Sequence, residues 1–382
     1  MKGTIIYIGG FRLPDGNAAG PRVLNNAKIF RELGYRVVFI DVADKVDSDV
    51  EKNFRNIEGF DCYSKKYPSR EKWFSYLTSI SDFKKIYKKY NDVKIVVTYN
   101  YQSVAFLKLK KFCAKNKIRL LSDCTEWYPK SKNIIKNIDS EMRMKYIQKR
   151  IDGVISISRF LHEYYKEYNS VQIPPLVDSD DEVWIKKEKN HEEIIFSYVG
   201  SPGKHKDKLD MIIDALSRIK TERKYIFKVI GITKEQYLEY YPEHEEKLNI
   251  LAGKVEFLGR IQRDSALNFL KESDFSVFFR PDTLVTRAGF PTKYAEAVTC
   301  GIPVITNCTS NLDEYLKDGI NGFIINGFEM KDIKETFEKV FKQKDEEIKS
   351  IKKYCEENND LFDYRKYIED IGNFVDILLN DE

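Results

Sequence analysis

Residues 289–305 read Gly289-Phe290-Pro291-Thr292-Lys293-Tyr294-Ala295-Glu296-Ala297-Val298-Thr299-Cys300-Gly301-Ile302-Pro303-Val304-Ile305. A Gly-Pro turn precedes a short helix, a glycine stops it, and an apolar strand follows. Pro291 has fixed φ and no N–H, so it suits the first helical turn. The N–H groups from Thr292 onward then point into open space at the positive end of the helix dipole. That is an anion site, and Lys293 adds a full charge beside it. Glu296, one turn further in, is placed to accept hydrogen bonds from a diol. Anion site, cation and diol acceptor together point to a nucleotide with its ribose.

Outward from this block the chain keeps one rhythm, short β-branched runs alternating with helical patterns, which predicts parallel sheets wrapped by helices. The first half offers strands at Thr4–Ile8, Val37–Asp41, Lys94–Thr98, Arg119–Ser122 and Gly153–Ser156. A helix is expected over Pro21–Leu33, stopped by Gly34. The second half restarts with Ile194–Tyr198, Lys224–Ile230, Val255–Leu258, Phe275–Phe279, Pro303–Thr306 and Gly322–Ile325. Between them Pro174-Pro175 and an acidic stretch read as a hinge. The expected organisation is a Rossmann-like domain over 1–172, a linker over 173–192 and a second Rossmann-like domain over 193–362. Residues 363–382 are expected to form a helix that returns to the first domain. Two doubly wound α/β domains place ligands at the carboxyl ends of their strands, facing across a cleft.

A chain of 382 residues exceeds a typical single core, and 42% hydrophobic content excludes a disordered chain. No apolar run approaches the ~20 residues of a membrane span. The N-terminus lacks the basic region and cleavage site of a signal peptide. Six scattered cysteines form no C-x-x-C pair and fit a reducing cytoplasm, with no metal site. The net charge of +4 hides an asymmetry. Residues 1–170 carry 33 Lys and Arg against 19 Asp and Glu, a net +14, and the remainder is net −10. The basic half suits an anionic membrane surface or an anionic acceptor, or is a solvated lysine-rich surface. No nucleic-acid recognition motif accompanies it.

Three further loops carry candidate chemistry. In the first, Gly16-Asn17-Ala18-Ala19-Gly20-Pro21-Arg22, the N–H of Gly20 and the side chain of Arg22 are placed to approach a phosphate. The spacing departs from G-x-G-x-x-G. In the second, Gly200-Ser201-Pro202-Gly203-Lys204-His205-Lys206-Asp207-Lys208 precedes a helix over Leu209–Ile219. Lysines at a helix start oppose its dipole, and a diphosphate explains them. In the third, Asp123-Cys124-Thr125-Glu126-Trp127-Tyr128 follows a strand. Asp123 and Glu126 there either orient a sugar hydroxyl or act as a base, or Asp123 or Thr125 simply caps a helix. No nucleophile–His–carboxylate arrangement is evident, which disfavours triad hydrolysis.

With these residues in hand, the chain resembles the retaining glycosyltransferases of family 4, of GT-B architecture. The resemblance runs through "IRLLSDCTEWYP", "DGVISISRFL", "FSYVGSPGKHKDKLDMIIDAL", "VEFLGRI" and "GFPTKYAEAVTCGIPVI". It implies transfer of a sugar from a nucleoside diphosphate sugar (UDP or GDP type) to a hydroxyl of a glycan or lipid-linked acceptor. Configuration is retained, and no metal or other cofactor is needed. The work belongs to polysaccharide or glycan synthesis, in the cytoplasm or at the inner membrane face. Glu296 matches the family's ribose-binding Glu. The family's first Glu falls at Ala288 and is missing. Lys206 or Lys208 aligns with the phosphate-binding Lys, Ser201 replaces a companion Arg, and Arg260 and Ile261 fall where the base is contacted. Catalytic roles are expected for Lys206, Lys293, Glu126 and Asp123. Donor binding is expected from Gly20, Arg22, Gly200, Lys204, Lys208, Arg260, Ile261, Phe290, Pro291, Thr292, Tyr294 and Glu296. Alanine at Lys293 or Glu296 is expected to cut transfer strongly without unfolding the chain. A non-catalytic nucleotide-sugar-binding protein and a GT-B sugar-nucleotide epimerase are the alternatives.

Overall fold

The computed structural model describes residues 1–185, 192–203 and 206–380. They form two compact units. The first holds Met1–Val177, Ala288–Phe290 and the chain from Asp363 onward; the second holds Asp178–Arg287 and Pro291–Phe362.

The N-terminal unit is built on eight strands: β1 (Thr4–Gly9), β2 (Arg36–Ala43), β3 (Phe54–Ile57), β4 (Phe60–Lys66), β5 (Val93–Tyr99), β6 (Arg119–Cys124), β7 (Gly153–Ser156) and β8 (Ser170–Gln172). Their order is β3-β4-β2-β1-β5-β6-β7-β8. Only the β3–β4 pair is antiparallel. Strand β1 is buried along its whole length because helices cover both faces of the sheet. Its residues alternate between two cores. Ile5 and Tyr7 join Val23 and Phe30 of the helix Ala19–Glu32. Ile6 and Ile8 join Phe83, Phe106 and Leu109 on the other face.

The expected strands all form, with ends shifted by a residue or two. The β3–β4 hairpin and β8 were not foreseen. Strand β4, Phe-Asp-Cys-Tyr-Ser-Lys-Lys, is too polar at its end to read as a buried parallel strand. The hairpin turn, Glu58-Gly59, has both φ positive (49° and 87°), the requirement of a tight two-residue turn. The linker expected over 173–192 begins later. Ile173 is fully buried and Leu176 nearly so, and Val177 pairs with Asp363. Residues 173–177 therefore belong to the first unit. The rest of that span is described only at 178–185 and 192.

The closing helix Ile368–Asn380 buries Ile371, Phe374, Val375 and Leu378 in the first unit's core. Phe374 lies against Gly153 so closely that a Cβ there would sit 2.6 Å from Cζ of its ring.

The C-terminal unit has six parallel strands, β9 (Ile194–Val199), β10 (Tyr225–Ile230), β11 (Val255–Gly259), β12 (Phe275–Val277), β13 (Val304–Thr306) and β14 (Gly322–Ile324). They are ordered β11-β10-β9-β12-β13-β14. Phe196 anchors its core, stacked on Phe275 and edge-on to Phe337 and Phe341 of the helix Met330–Phe341. In both sheets the chain starts in the middle, works outward, and returns to the other side. That leaves a topological switch point beside β1, next to β5, and another beside β9, next to β12, where such sheets bind ligands.

Phe374→Ala should cost about 3–5 kcal/mol by leaving a cavity against Gly153. A denaturant titration should show the lower midpoint; an unchanged midpoint would mean the helix adds nothing to this core.

Candidate functional site

At the second switch point the end of β9 meets the end of β12. Asp207, 2% exposed at its side chain, lies between them. The Tyr198 hydroxyl donates to Asp207 Oδ2 at 2.6 Å, and Lys293 Nζ makes a short ion pair with the same oxygen. Arg280 Nε lies 3.6 Å from Asp207 Oδ1. Lys293 Nζ also sits 4.0 Å from the centre of the Tyr198 ring, a cation–π contact. Gly200 lies beside Lys293; its φ of +139° favours glycine, and a Cβ there would make only an ordinary contact, 3.4 Å from Lys293 Nζ. Gly231 packs on the same loop, where a Cβ would strike the carbonyl oxygen of Gly200 at 2.1 Å.

The backbone holds the loops together. Lys208 N donates to Phe279 O at 2.7 Å, tying the β9 loop to the end of β12. Asn307, at the end of β13, accepts from Arg280 N at 3.0 Å and donates to Arg280 O at 2.7 Å.

Two cations thus share one carboxylate in a nearly dry place. Burial pushes the Asp207 carboxyl up, but Lys293, the Tyr198 hydroxyl and Arg280 outweigh it and hold it below the ordinary carboxylate range. Burial pulls Lys293 and Arg280 below their ordinary values, and Asp207 opposes both shifts. Arg280 is 5% exposed, and its Nε and Nη1 have no hydrogen-bond partner among the described residues. A buried guanidinium with open donors is costly until an anion meets it.

Glu296 lies one turn along the helix Thr292–Thr299, with its side chain 27% exposed and Oε1 3.5 Å from Arg263 Nη2. Burial pushes its carboxyl above the usual range, and Arg263 draws it part of the way back. Arg263 is itself placed over the ring of Trp184 at 5.6 Å.

Several expectations need correction. Lys293 is not a free amine; it is locked to Asp207. Pro291 is the N-cap of its helix rather than its first residue, and no side chain caps that end. Thr292 is exposed there, as expected. Tyr294 is 1% exposed and packs edge-on against Phe362, so it is core and not a ligand contact. Phe290 is buried too, in a three-residue segment that packs with the first unit. Ala288, where the resemblance puts a Glu, is fully buried, and its carbonyl accepts from Ser158 Oγ at 2.7 Å. Lys206 is exposed, with its charge bearing on Lys293, and Lys208 is half-buried. Arg260 is exposed and Ile261 half-buried after β11. Lys204 lies outside the described residues.

The first unit's switch point is closed. Asp123 is fully buried and accepts from Tyr7 OH at 2.6 Å and from Arg22 Nη2 at 2.8 Å. Arg22 Nη1 donates to the carbonyls of Ile173 and Pro174. Neither side chain is free, so Arg22 is no phosphate ligand and Asp123 no base. The Gly20 N–H is spent on Asn17. What requires glycine at position 20 is space, since a Cβ would lie 2.5 Å from the carbonyls of Arg12 and Pro14. Glu126 is the exposed carboxylate of this loop. Asp207, Arg280 and Arg263 escaped the sequence reading. Asp207 sat inside a lysine run that drew attention to its cations, and Arg280 carried no signal beyond its place directly after a buried strand.

Residues 180–358, which contain the whole Asp207 cluster, match the family described as Glycosyl transferases group 1. An uncharacterized glycosyltransferase of Methanocaldococcus jannaschii is 24% identical over 258 residues, 62% of this chain and 61% of that protein. The match therefore spans less than two thirds of the relative. Among solved structures, sucrose-phosphate synthase from Thermosynechococcus elongatus superposes with a TM-score of 0.75 at 15% identity, covering 100% of both chains. Anabaena HepE, solved in complex with UDP, gives 0.70 at 14% identity, covering 98% of this chain and 100% of its own. At such identities the likeness establishes the fold. The protein has the two Rossmann-like domains of the GT-B fold, and the match to the glycosyl transferases group 1 model lies within residues 180–358.

Asp207→Asn should destabilise the protein at pH 7. The native carboxyl is depressed, so its contribution is complete above the ordinary value of about 4 and is lost as pH falls through the lower native value. The stability gap between wild type and Asp207→Asn should therefore narrow on acidification below about pH 4. Denaturant midpoints at pH 7 and pH 3 measure it, and a constant gap would contradict the pairing.

Proposed function

We propose that the protein is a retaining glycosyltransferase of family 4, moving a sugar from a nucleoside diphosphate sugar of UDP or GDP type to a hydroxyl of a glycan or lipid-linked acceptor. Cell-surface polysaccharide or glycan synthesis is the process it serves. The observation that carries this reading is the over-charged cluster at the second switch point, with unpartnered Arg280 donors beside Asp207 and Lys293. It lies within the segment that matches the glycosyltransferase family. A UDP complex of Anabaena HepE, which shares the fold, agrees with it.

The chemistry follows from charge. When the bond from the sugar's anomeric carbon to the diphosphate oxygen breaks, its electron pair stays on that oxygen. Lys293, Arg280 and Lys206 stabilise the charge that develops, an effect present in the transition state more than in the ground state. The acceptor hydroxyl attacks from the face the diphosphate leaves, which retains configuration, and its proton passes to a phosphate oxygen. Glu296 accepts hydrogen bonds from the ribose diol while Arg263 favours its ionised form. Arg260 and Ile261 flank the base. Glu126, the exposed carboxylate of the loop after β6, orients an acceptor hydroxyl.

Thermal-shift screening against UDP, GDP and ADP and their sugars tests the donor. At a hundredfold excess over Kd a ligand adds about 2.7 kcal/mol, so one nucleotide should stand out. No shift with any of them would count against the reading. Binding without turnover on any acceptor would favour a non-catalytic binding protein, and epimerisation of donor without acceptor would favour the epimerase.

Two variants report on roles. Glu296→Gln should leave the fold intact and lower kcat/KM by ten- to a hundredfold, about 1.4–2.7 kcal/mol. Lys293→Met should lower both stability and transfer, because it strands Asp207; breaking such a buried pair costs about 3–5 kcal/mol. The double variant Asp207→Asn/Lys293→Met should recover only part of the stability, because Arg280 stays buried without its carboxylate, and none of the transfer. Recovery of both would make Lys293 purely structural.

A further inference from the structure

Three neighbouring helices of the N-terminal unit carry large apolar side chains into solvent. On the helix Trp73–Thr78, Phe74 is 79% exposed and Trp73 is exposed beside it. On Ser103–Lys115, Val104 and Leu107 share an exposed face with Lys108 and Lys111, the spacing of a single helical stripe. On Ile134–Glu141, Ile134 and Ile135 are 72% and 73% exposed and Ile138 stands one turn on. The middle helix ties the three together. Lys108 Nζ donates to Thr78 O at 2.7 Å, and Ser103 N and Oγ donate to Asp139 Oδ1 at 2.8 and 2.7 Å. Isolated surface apolar residues are ordinary, but a row of them on adjacent helices marks an interaction surface.

The charge around the row names the partner. Segments 70–78, 103–115 and 130–141 together hold nine Lys and Arg against three Asp and Glu. Two of those three acids are engaged, Asp139 by Ser103 and Glu141 by Lys145. Lys130, Lys132 and Lys136 flank the isoleucines and are exposed. A recess of about 390 Å³ is lined by Lys66 and Lys72, and by Lys65, which pairs with Asp82 at 3.5 Å. Apolar side chains flanked by lysines on helices that lie flat match the interface of an anionic bilayer, where the rings and isoleucines enter the acyl boundary and the lysines stay at the headgroups. A protein partner of ordinary composition would meet this charge with a penalty. The described residues contain no helix long and apolar enough to cross a membrane, so attachment through this face would be peripheral.

We propose that these three helices form a docking face for the surface of an anionic lipid bilayer. The proposal does not depend on the donor chemistry. Co-sedimentation of the full chain with phosphatidylglycerol-containing vesicles and with pure phosphatidylcholine vesicles tests it. At low salt the protein should pellet with the anionic vesicles and stay largely in solution with the neutral ones, and high salt should release it. Ile134→Ser/Ile135→Ser/Ile138→Ser should weaken anionic-vesicle binding at least about tenfold, as should Lys111→Glu/Lys136→Glu. Every substituted residue is exposed, so unchanged thermal unfolding in both variants is expected and excludes misfolding as the cause. Equal recovery with neutral and anionic vesicles would overturn the proposal. So would anionic binding that survives the isoleucine changes, which would reveal a simple polyanion site.

Discussion

A buried carboxylate must be answered by cations, and each unit of this protein places one at the switch point of its sheet. In the N-terminal unit Asp123 is met by Arg22, Tyr7 and Asn26, and Arg22 spends its remaining donors on carbonyls. Charge balances there, one cation to one carboxylate. In the C-terminal unit Asp207 is met by Lys293, Tyr198 and Arg280, one cation more than it can neutralise. The same device therefore yields opposite results. Balance makes one site part of the scaffold, and the surplus leaves the other with a buried positive charge that an anion would answer. Breaking a buried pair is costly, which explains why the strand ends, Gly200 and Asn307 are fitted so closely around the second cluster.

The division into two sheets of alternating strand and helix was legible in the sequence, because fully buried parallel strands read as apolar runs such as Thr4–Gly9 and Ile194–Val199. The edge hairpin was not, since polar-ended strands such as Phe60–Lys66 lack that signal. The candidate site was legible in part. Lys293 and Glu296 stood out by type and spacing, but their partners did not. Asp207 lies 86 residues from Lys293 in the chain, and Arg263 lies 33 from Glu296. Pairings at such separations are made by topology and leave no periodic trace. Arg22 and Asp123 misled for the related reason that burial cannot be seen in residue type. A cation after a glycine loop reads the same whether it faces a phosphate or a carboxylate.

The charge asymmetry gains a place in the fold. Part of the basic excess of the first half lies on helices that also expose isoleucine, leucine and aromatic rings. The second unit keeps its surplus positive charge inside, at the ends of β9 and β12. One half is thus suited to an extended anionic surface and the other to a small anion held at a point.

The role of the second cluster can be tested through Arg280 by calorimetric titration of a nucleoside diphosphate and of its parent nucleoside into wild type and Arg280→Met. If the cluster exists to hold the diphosphate, the variant should be as stable as wild type or more so, since an unanswered cation is removed. It should bind the diphosphate at least about tenfold more weakly and the nucleoside equally well. A less stable variant that binds the diphosphate as tightly as wild type would contradict this and would make Arg280 a structural partner of Asp207.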